Sequence, residues 1–455
     1  MKKSRAAGMD MLHGSMFDKM LLFALPLAAG SILQQLFNAV DVAVVGRFSS
    51  SQALAAVGAN SSVISLLVNL FVGISVGANV VIAHLIGKGE KDRVKSAVHT
   101  ALLLALISGV LMMFVGLVIA RPLLALMSTP EDVLDMAVLY LRIYCLSMPF
   151  SMFYDFGASI LRSVGDTKRP LICLVTAGLL NAVLNLFFVI VCGLSVSGVA
   201  IATVISNVVS AGLMLYFLYH TEEIVRADLK ALRLNKTELI QILKIGIPAG
   251  IQGMVFSVAN VCIQSSVNSF GSDAVAGSSV AVNFEMFSYY VVNGFNAAVM
   301  TFMSQNLGAG NRKRCRKAYG IGMASAVVSV LILNSIMFLA RNPLIGLFTG
   351  DPAVADFAVQ RMSVVLLTHF MICSYEITGS ALRGVGKSLV PAVLTVFGTC
   401  VLRIVYVNTV VIRHHDFRIL MAVYPFSWIV TGAMVVIAFF VVMKKMHILW
   451  NKHAN

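Results

Sequence analysis

Long apolar runs, each closed by a short polar cluster, dominate the chain. A helix needs about 20 residues to cross a ~30 Å hydrocarbon core. Runs of at least that length can be drawn at approximately 19–46, 53–86, 96–120, 133–161, 170–192, 196–220, 240–269, 274–307, 318–340, 353–382, 389–412 and 418–443. They predict an all-α polytopic membrane protein with twelve transmembrane helices. The longest internal polar segment, 221–244, divides them six and six.

The two halves repeat each other. Tyr154, Ser159, Leu161, Arg162, Val164, Gly165 and Pro170 return 221 residues later as Tyr375, Ser380, Leu382, Arg383, Val385, Gly386 and Pro391. The same offset carries Gly73, Gly87, Gly89, Ala97 and Pro122 onto Gly294, Gly308, Gly310, Ala318 and Pro343. After a one-residue slip, Pro26 and Phe48 meet Pro248 and Phe270. The predicted organisation is an N-terminal lobe (1–220), a cytoplasmic connector (221–244) and a C-terminal lobe (245–455), forming two pseudo-symmetric six-helix bundles. An even number of spans per copy makes both copies enter the membrane in the same direction, the parallel-repeat plan of transporters that rock around a central site. Pro26 and Pro248, at matching depths of the first span of each copy, are expected to bend or loosen their helices. The spacings Gly73 to Gly77 and Gly294 to Ala298 suit close helix contact.

Composition agrees: 59% of residues are hydrophobic and 12% charged, against about a quarter charged in a soluble domain. The net charge of +14 raises the question of nucleic acid, and the placement of the basic residues answers it. The runs Lys88 to Lys95, Arg226 to Lys244 and Arg312 to Lys317 follow even-numbered spans, whereas the opposite loops carry only Arg47, Arg121, Arg341, Arg413 and Arg418. The positive-inside rule then puts both termini in the cytoplasm of a cell-membrane protein. The basic loops face anionic lipid headgroups, with no nucleic-acid partner expected. Met1 to Met20 lacks the apolar core and cleavage site of a signal peptide. The seven cysteines are scattered without metal or redox spacing and read as small apolar side chains. No GxxxxGK or HExxH motif is present and no nucleophile or metal constellation on facing helices is read from the sequence, so neither ATP hydrolysis nor intramembrane enzyme chemistry is expected.

Over essentially its whole length the chain resembles the multidrug and toxic compound extrusion (MATE) transporters. The carriers are Pro26 followed fifteen residues on by Asp41 within VDVAVVGRF, the GxG loops at Gly87–Gly89 and Gly308–Gly310, and the segments ILRSVG and ALRGVG. The resemblance implies a cation-driven antiporter for bulky organic molecules, often cationic or amphipathic. Its expected partners are those substrates and the bilayer, and it is expected to act as a monomer with no cofactor beyond H+ or Na+ as coupling ion. It also points to a cation site of Asp41, Asn181, Asn185 and Thr203. Three positions depart from the family pattern: Asn185 stands where many members have a second carboxylate, Phe256 where some bacterial members have Glu, and Ile372 where such members have Asp, with Glu376 one turn further on. The alternative within the superfamily is a flippase for a lipid-linked or polysaccharide precursor, which would favour a more cationic cavity than the few in-span Arg and Lys suggest.

Carboxylates inside spans are costly unless they meet a cavity, a partner or an ion. Four lie more than one turn from a span end: Asp41, Asp155, Glu285 and Glu376. Asp41 has no basic residue within two turns on the core side, so it is the leading coupling residue, able to take a proton or, with the neighbouring amides, to hold Na+. Asp155 and Glu376 each precede an Arg (Arg162, Arg383) by seven residues, two turns along one helix face, and predict structural ion pairs. His369 lies seven residues before Glu376, and Arg403 replaces Ala182 of the first copy. Glu285, His369, Glu376 and Arg403 are therefore expected to form a C-lobe charge cluster. Gln34, Gln35, Asn60, Asn283, Tyr289 and Tyr290 are the candidate substrate-cavity residues. His414, His415 and Asp416 read as a solvated turn, since adjacent side chains diverge, and no metal site is expected.

Overall fold

The computed structural model of the protein describes residues 8–452, apart from 128, 222 and 223. Every regular element among them is helical. The first repeat comprises α1 (Met16–Phe48), α2 (Ser51–Lys88), α3 (Lys91–Leu126), α4 (Glu131–Cys145), α5 (Met148–Ser163), α6 (Lys168–Leu186) and α7 (Val196–Tyr219). The second comprises α8 (Lys236–Asn268), α9 (Ser272–Gly308), α10 (Arg312–Leu339), the short α11 (Arg341–Gly346), α12 (Pro352–Arg361), α13 (Cys373–Gly384), α14 (Leu389–Thr395), α15 (Leu402–Tyr406), α16 (Phe417–Met421) and α17 (Val423–Lys452). Among the described residues ten helical stretches are long and apolar enough to cross a bilayer, and the bent pair α4–α5 makes eleven. The 37-residue α9 completes twelve; it is less apolar because Ser, Asn and Gly punctuate it.

Several spans are not the uniform helices that their apolar runs predict. The fourth bends by 48° between α4 and α5, where Pro149 removes a backbone donor and its ring opposes a continuous helix. Gly109 of α3 fits against that bend: a Cβ there would sit 2.5 Å from the Pro149 Cα. The second copy loosens the equivalent stretch without a proline, through a π-turn (Met362–Leu366) and a 3₁₀ turn (His369–Ile372) between α12 and α13. Further π-turns follow α6 (Phe187–Val191) and flank α15 (Val396–Val401, Val407–Val411). The repeated glycines Gly89 and Gly310 both have left-handed backbone, with φ 74° and 72°, which a side chain disfavours. The eighth helix starts at Lys236, inside the segment read as connector, because the Asn235 Oδ1 accepts the Thr237 N–H (2.9 Å) and Glu238 is buried against Arg93 (2.9 Å).

Packing groups the chain into two compact units. One gathers Ala29–Gly250 and Gly308–Gly310; the other gathers Ser15–Ala28, Ile251–Leu307 and the chain from Asn311 onward. Each leading helix therefore changes unit two residues after its proline, Pro26 in α1 and Pro248 in α8. Neither helix is interrupted there, although a proline frees the carbonyl one turn back.

Within the first unit the opening half of α8 lies on α2 through glycines on both sides. A Cβ at Gly73 would sit 2.2 Å from the Gly250 N, and one at Gly246 would sit 2.4 Å from the Ile74 Cα. The rest of this unit is held by a core of Val44, Val45, Ala137, Leu141 and Val199 with their neighbours. Within the second unit the opening half of α1 lies on α9 in the repeat-equivalent way: a Cβ at Gly294 would meet the Ala24 O at 2.5 Å. Phe284, Met362 and Leu366 anchor a core around Ala281 and Ala358.

Because the obstacles are backbone atoms, Gly73→Ala is expected to cost about 1–3 kcal/mol or more by overpacking. It should appear as a lower unfolding temperature in detergent. Gly212→Ala, where a Cβ meets nothing within 4 Å, is the control and should be neutral or slightly stabilising through helix propensity.

Candidate functional site

Helices α1, α6 and α7 bring all four predicted cation-site residues together in the first unit. Asn181 and Asn185 stand one turn apart on α6, so they share a face. The Asn185 Nδ2 donates to the Asp41 Oδ1 and to the Asn181 Oδ1 at 3.2 Å. The Asn181 Nδ2 in turn lies 3.4 Å from the Thr203 Oγ1, whose hydroxyl donates to the Val199 O at 3.0 Å. Asn185 is fully buried, yet its Oδ1 has no hydrogen-bond partner among the described residues. An orphaned buried acceptor is costly, and here it lies on the residue that already touches the one carboxylate. A carboxylate, two amide oxygens and a hydroxyl along one track are the donor set that a hard cation takes, and the carboxylate alone accepts a proton. The π-turn begins two residues after Asn185, and such turns recur at functional sites. Tyr140 and Tyr144 of α4, stacked at 6.2 Å, interact electrostatically with Asp41; nothing in their sequence spacing marked them.

Asp155 and Arg162 do not form the direct ion pair expected of them. The Arg162 Nε donates to the Ala158 O (3.1 Å), its own helix backbone, and Nη2 reaches the Ser159 Oγ (3.4 Å). The two charges interact only through space. Two turns of rise, about 10 Å, exceed what the short Asp side chain bridges.

In the second unit the predicted charge cluster is divided. Glu285 of α9 pairs instead with Arg361, the last residue of α12, by two parallel bonds (Nε–Oε1 2.7 Å, Nη2–Oε2 2.9 Å). Arg361 also donates to the Ser278 Oγ (2.7 Å) and stands over the Tyr424 ring, 5.2 Å from its centroid. Arg403 stands over the same ring at 4.8 Å and donates through Nε to the Ser427 Oγ (2.9 Å). His369 meets the Ser288 Oγ through Nδ1 (2.8 Å) and packs edge-on against Trp428 (5.4 Å). Glu376 accepts from the Asn296 Nδ2 (3.0 Å) and lies in the field of Arg383. No hydrogen bond or ion pair joins Glu376 to Arg403 among the described residues. Adjacent-span spacing cannot set how two helices rotate about their axes, and rotation decides which side chains meet.

The predicted cavity residues fall in both units, Gln34, Gln35 and Asn60 in the first and Asn283, Tyr289 and Tyr290 in the second. Asn60 is buried as a strut, its Nδ2 donating to the Ala56 O (2.8 Å) and the Ala137 O (3.0 Å). Asn283 is exposed and bonds the Ser279 O of its own helix (2.9 Å). Gln34 and Gln35 are exposed on α1, and Tyr290 is half-buried on α9. Tyr289 interacts electrostatically with Glu376 and Arg383. A surface hollow of about 240 Å³ between Asn342 and Val359 contains no predicted site residue. Asp416 caps α16 through the Ile419 N–H (3.0 Å), and His415 stacks on Phe270 (4.1 Å); no metal-binding group of side chains occurs among the described residues.

A family model described as MatE matches residues 26–187 and 248–408, the same portion of each repeat. Over 386 residues the chain is 28% identical to a Thermotoga maritima protein named Probable multidrug resistance protein NorM, covering 83% of this chain and 82% of that one. It is 26% identical over 392 residues to the Bacillus subtilis protein named Probable multidrug resistance protein YoeA, covering 84% of each. Its fold is similar to a solved structure described as the outward-facing conformation of a multidrug resistance MATE family transporter of the MOP superfamily. That likeness has a TM-score of 0.90 at 22% identity and covers 98% of this chain and all of that one. A MOP superfamily transporter from Pyrococcus furiosus gives 0.89 at 22%, covering 98% and 99%. The chain thus belongs to the MatE family, and is an integral membrane transporter rather than an enzyme.

Proposed function

We propose that this protein exports bulky amphipathic organic compounds in exchange for H+ or Na+, by alternating access, as a monomer in the cell membrane with both termini cytoplasmic. The relatives' multidrug names support the cargo class, and the basic loops after even-numbered spans support the orientation. The observation that carries the coupling is the Asp41, Asn185, Asn181 and Thr203 track with its orphaned amide oxygen. Ion occupancy there drives transport only if it differs between outward- and inward-open states.

The test is transport by purified protein in liposomes, with Na+ and pH gradients imposed separately and a fluorescent amphipathic dye as cargo. One gradient is expected to drive dye movement, and a dye gradient should move the same ion. Dye movement insensitive to both gradients would overturn the proposal.

A further inference from the structure

With the exposed charges such as Arg142, Asp135, Lys244 and Asp356 set aside, the remaining in-span charges nearly balance in each unit, with one left over in each. In the first, Asp155 is set against Arg162 and Asp41 is the surplus; in the second, Glu285 is matched by Arg361 and Glu376 by Arg383, and Arg403 is the surplus. The surplus groups have opposite sign. Position 403 repeats position 182, an alanine beside Asn181, while Asp41 falls on Ile263 of the second copy after the one-residue slip. The second copy therefore carries a fixed cation on the segment where the first carries amide oxygens.

Arg403 is 1% exposed, and its Nη1 has no hydrogen-bond partner among the described residues. A buried guanidinium without a carboxylate is costly, and an arriving anion relieves that cost through short charge-assisted bonds. The neighbours of the guanidinium are aromatic: Tyr424 lies at 4.8 Å and Phe256 at 5.8 Å from its carbon, and the Trp428 ring lies 5.8 Å from that of Tyr424. The five residues of α15 are bracketed by two π-turns, a backbone form that recurs at functional sites.

We infer that Arg403, with Tyr424 and Phe256, forms a subsite for the anionic group of an aromatic or amphipathic cargo, a carboxylate in the simplest case. This rests on the exporter reading for the identity of the occupant as cargo. It adds a substrate class, organic anions and zwitterions, to that reading. Phe256 and Tyr424 would hold the apolar body while Nη1 takes an oxygen.

The test is equilibrium binding to the full chain in nanodiscs of zwitterionic lipid, using three tritiated probes with one naphthyl ring: 2-naphthylacetate, its amide, and (2-naphthylmethyl)trimethylammonium. Wild-type protein is expected to bind the carboxylate about tenfold more tightly than either other probe, the scale of one charge-assisted hydrogen bond. That advantage should be the same in chloride and in isethionate buffer. Arg403→Gln should erase it while leaving the amide's affinity in place, and Arg403→Lys should keep part of it. Equal or tighter binding of the amide or the ammonium probe by wild type overturns the inference without needing any variant to fold. So does an advantage that survives Arg403→Gln, or one seen only without chloride, which would make an inorganic anion the occupant. Binding requires no gradient, so failure here is distinct from failure of ion-driven export.

Discussion

Asp41→Asn is expected to abolish ion-driven export, lowering the initial rate by on the order of a hundredfold, while the protein inserts and unfolds as the wild type does. A hundredfold corresponds to ~2.7 kcal/mol of state-dependent ion binding. The amide keeps the shape of the carboxylate, and its oxygen can still accept from the Asn185 Nδ2, so packing is retained. What it loses is the charge and the ability to take a proton, and no other carboxylate replaces them on this track. Asp155, the other in-span acid of the first unit, is set against Arg162. The measurement is dye transport in proteoliposomes under the gradient that drives the wild type, beside thermal unfolding in detergent. Wild-type transport by the variant would remove Asp41 from the coupling mechanism. Asn185→Ala is a useful companion, since it deletes both the donor that fixes Asp41 and the orphaned Oδ1. It should weaken export without matching the Asn variant if the carboxylate is the main ion-binding group.

The first unit was largely legible because its site obeys relations that a sequence displays. Asp41 is the in-span acid with no nearby base, and the MATE resemblance supplied Asn181, Asn185 and Thr203, the two amides lying one turn apart on one helix. The second unit was less legible. Glu285 and Arg361 are 76 residues apart, on helices whose mutual rotation is set by packing, and no spacing in the sequence links them. Glu376 and Arg403 were grouped because they occupy successive spans, yet they bond Asn296 and Ser427 instead. The apolar runs located the twelve spans, and the offset of 221 residues located the repeated glycines, whose close contacts with Gly250 and Ala24 explain their recurrence; the offset has a limit. It did not reveal the π-turns, because a π-turn arises from one extra residue in a helical turn and has no residue signature. Nor did it show the exchange of leading half-helices between packing units, which depends on the path of the backbone after each proline.

The Glu285 and Arg361 pair offers the largest expected stability effect. Both side chains are buried, at 7% and 5% exposure, and removal of one partner from such a pair typically costs about 3–5 kcal/mol. Arg361→Met and Glu285→Met should not be equal, because Arg403 shares the Tyr424 ring with Arg361. With Arg361 gone, Glu285 and Arg403 leave the local charge near zero. With Glu285 gone, two guanidinium groups face the same ring with no carboxylate between them, so Glu285→Met should be the more damaging change. The double variant Glu285→Met with Arg361→Met removes both charges in matched volume and should recover most of the loss, since an apolar replacement of a whole buried pair is often neutral. Unfolding temperatures of the three variants in detergent give the order directly. A double variant as unstable as Glu285→Met would show that the pair's fixed geometry, and not its uncompensated halves, holds α9 to α12. If the double variant is stable but no longer exports dye, the ion pair must change partners during transport, and Arg403 and Tyr424, already beside Arg361, are where the exchange would take place.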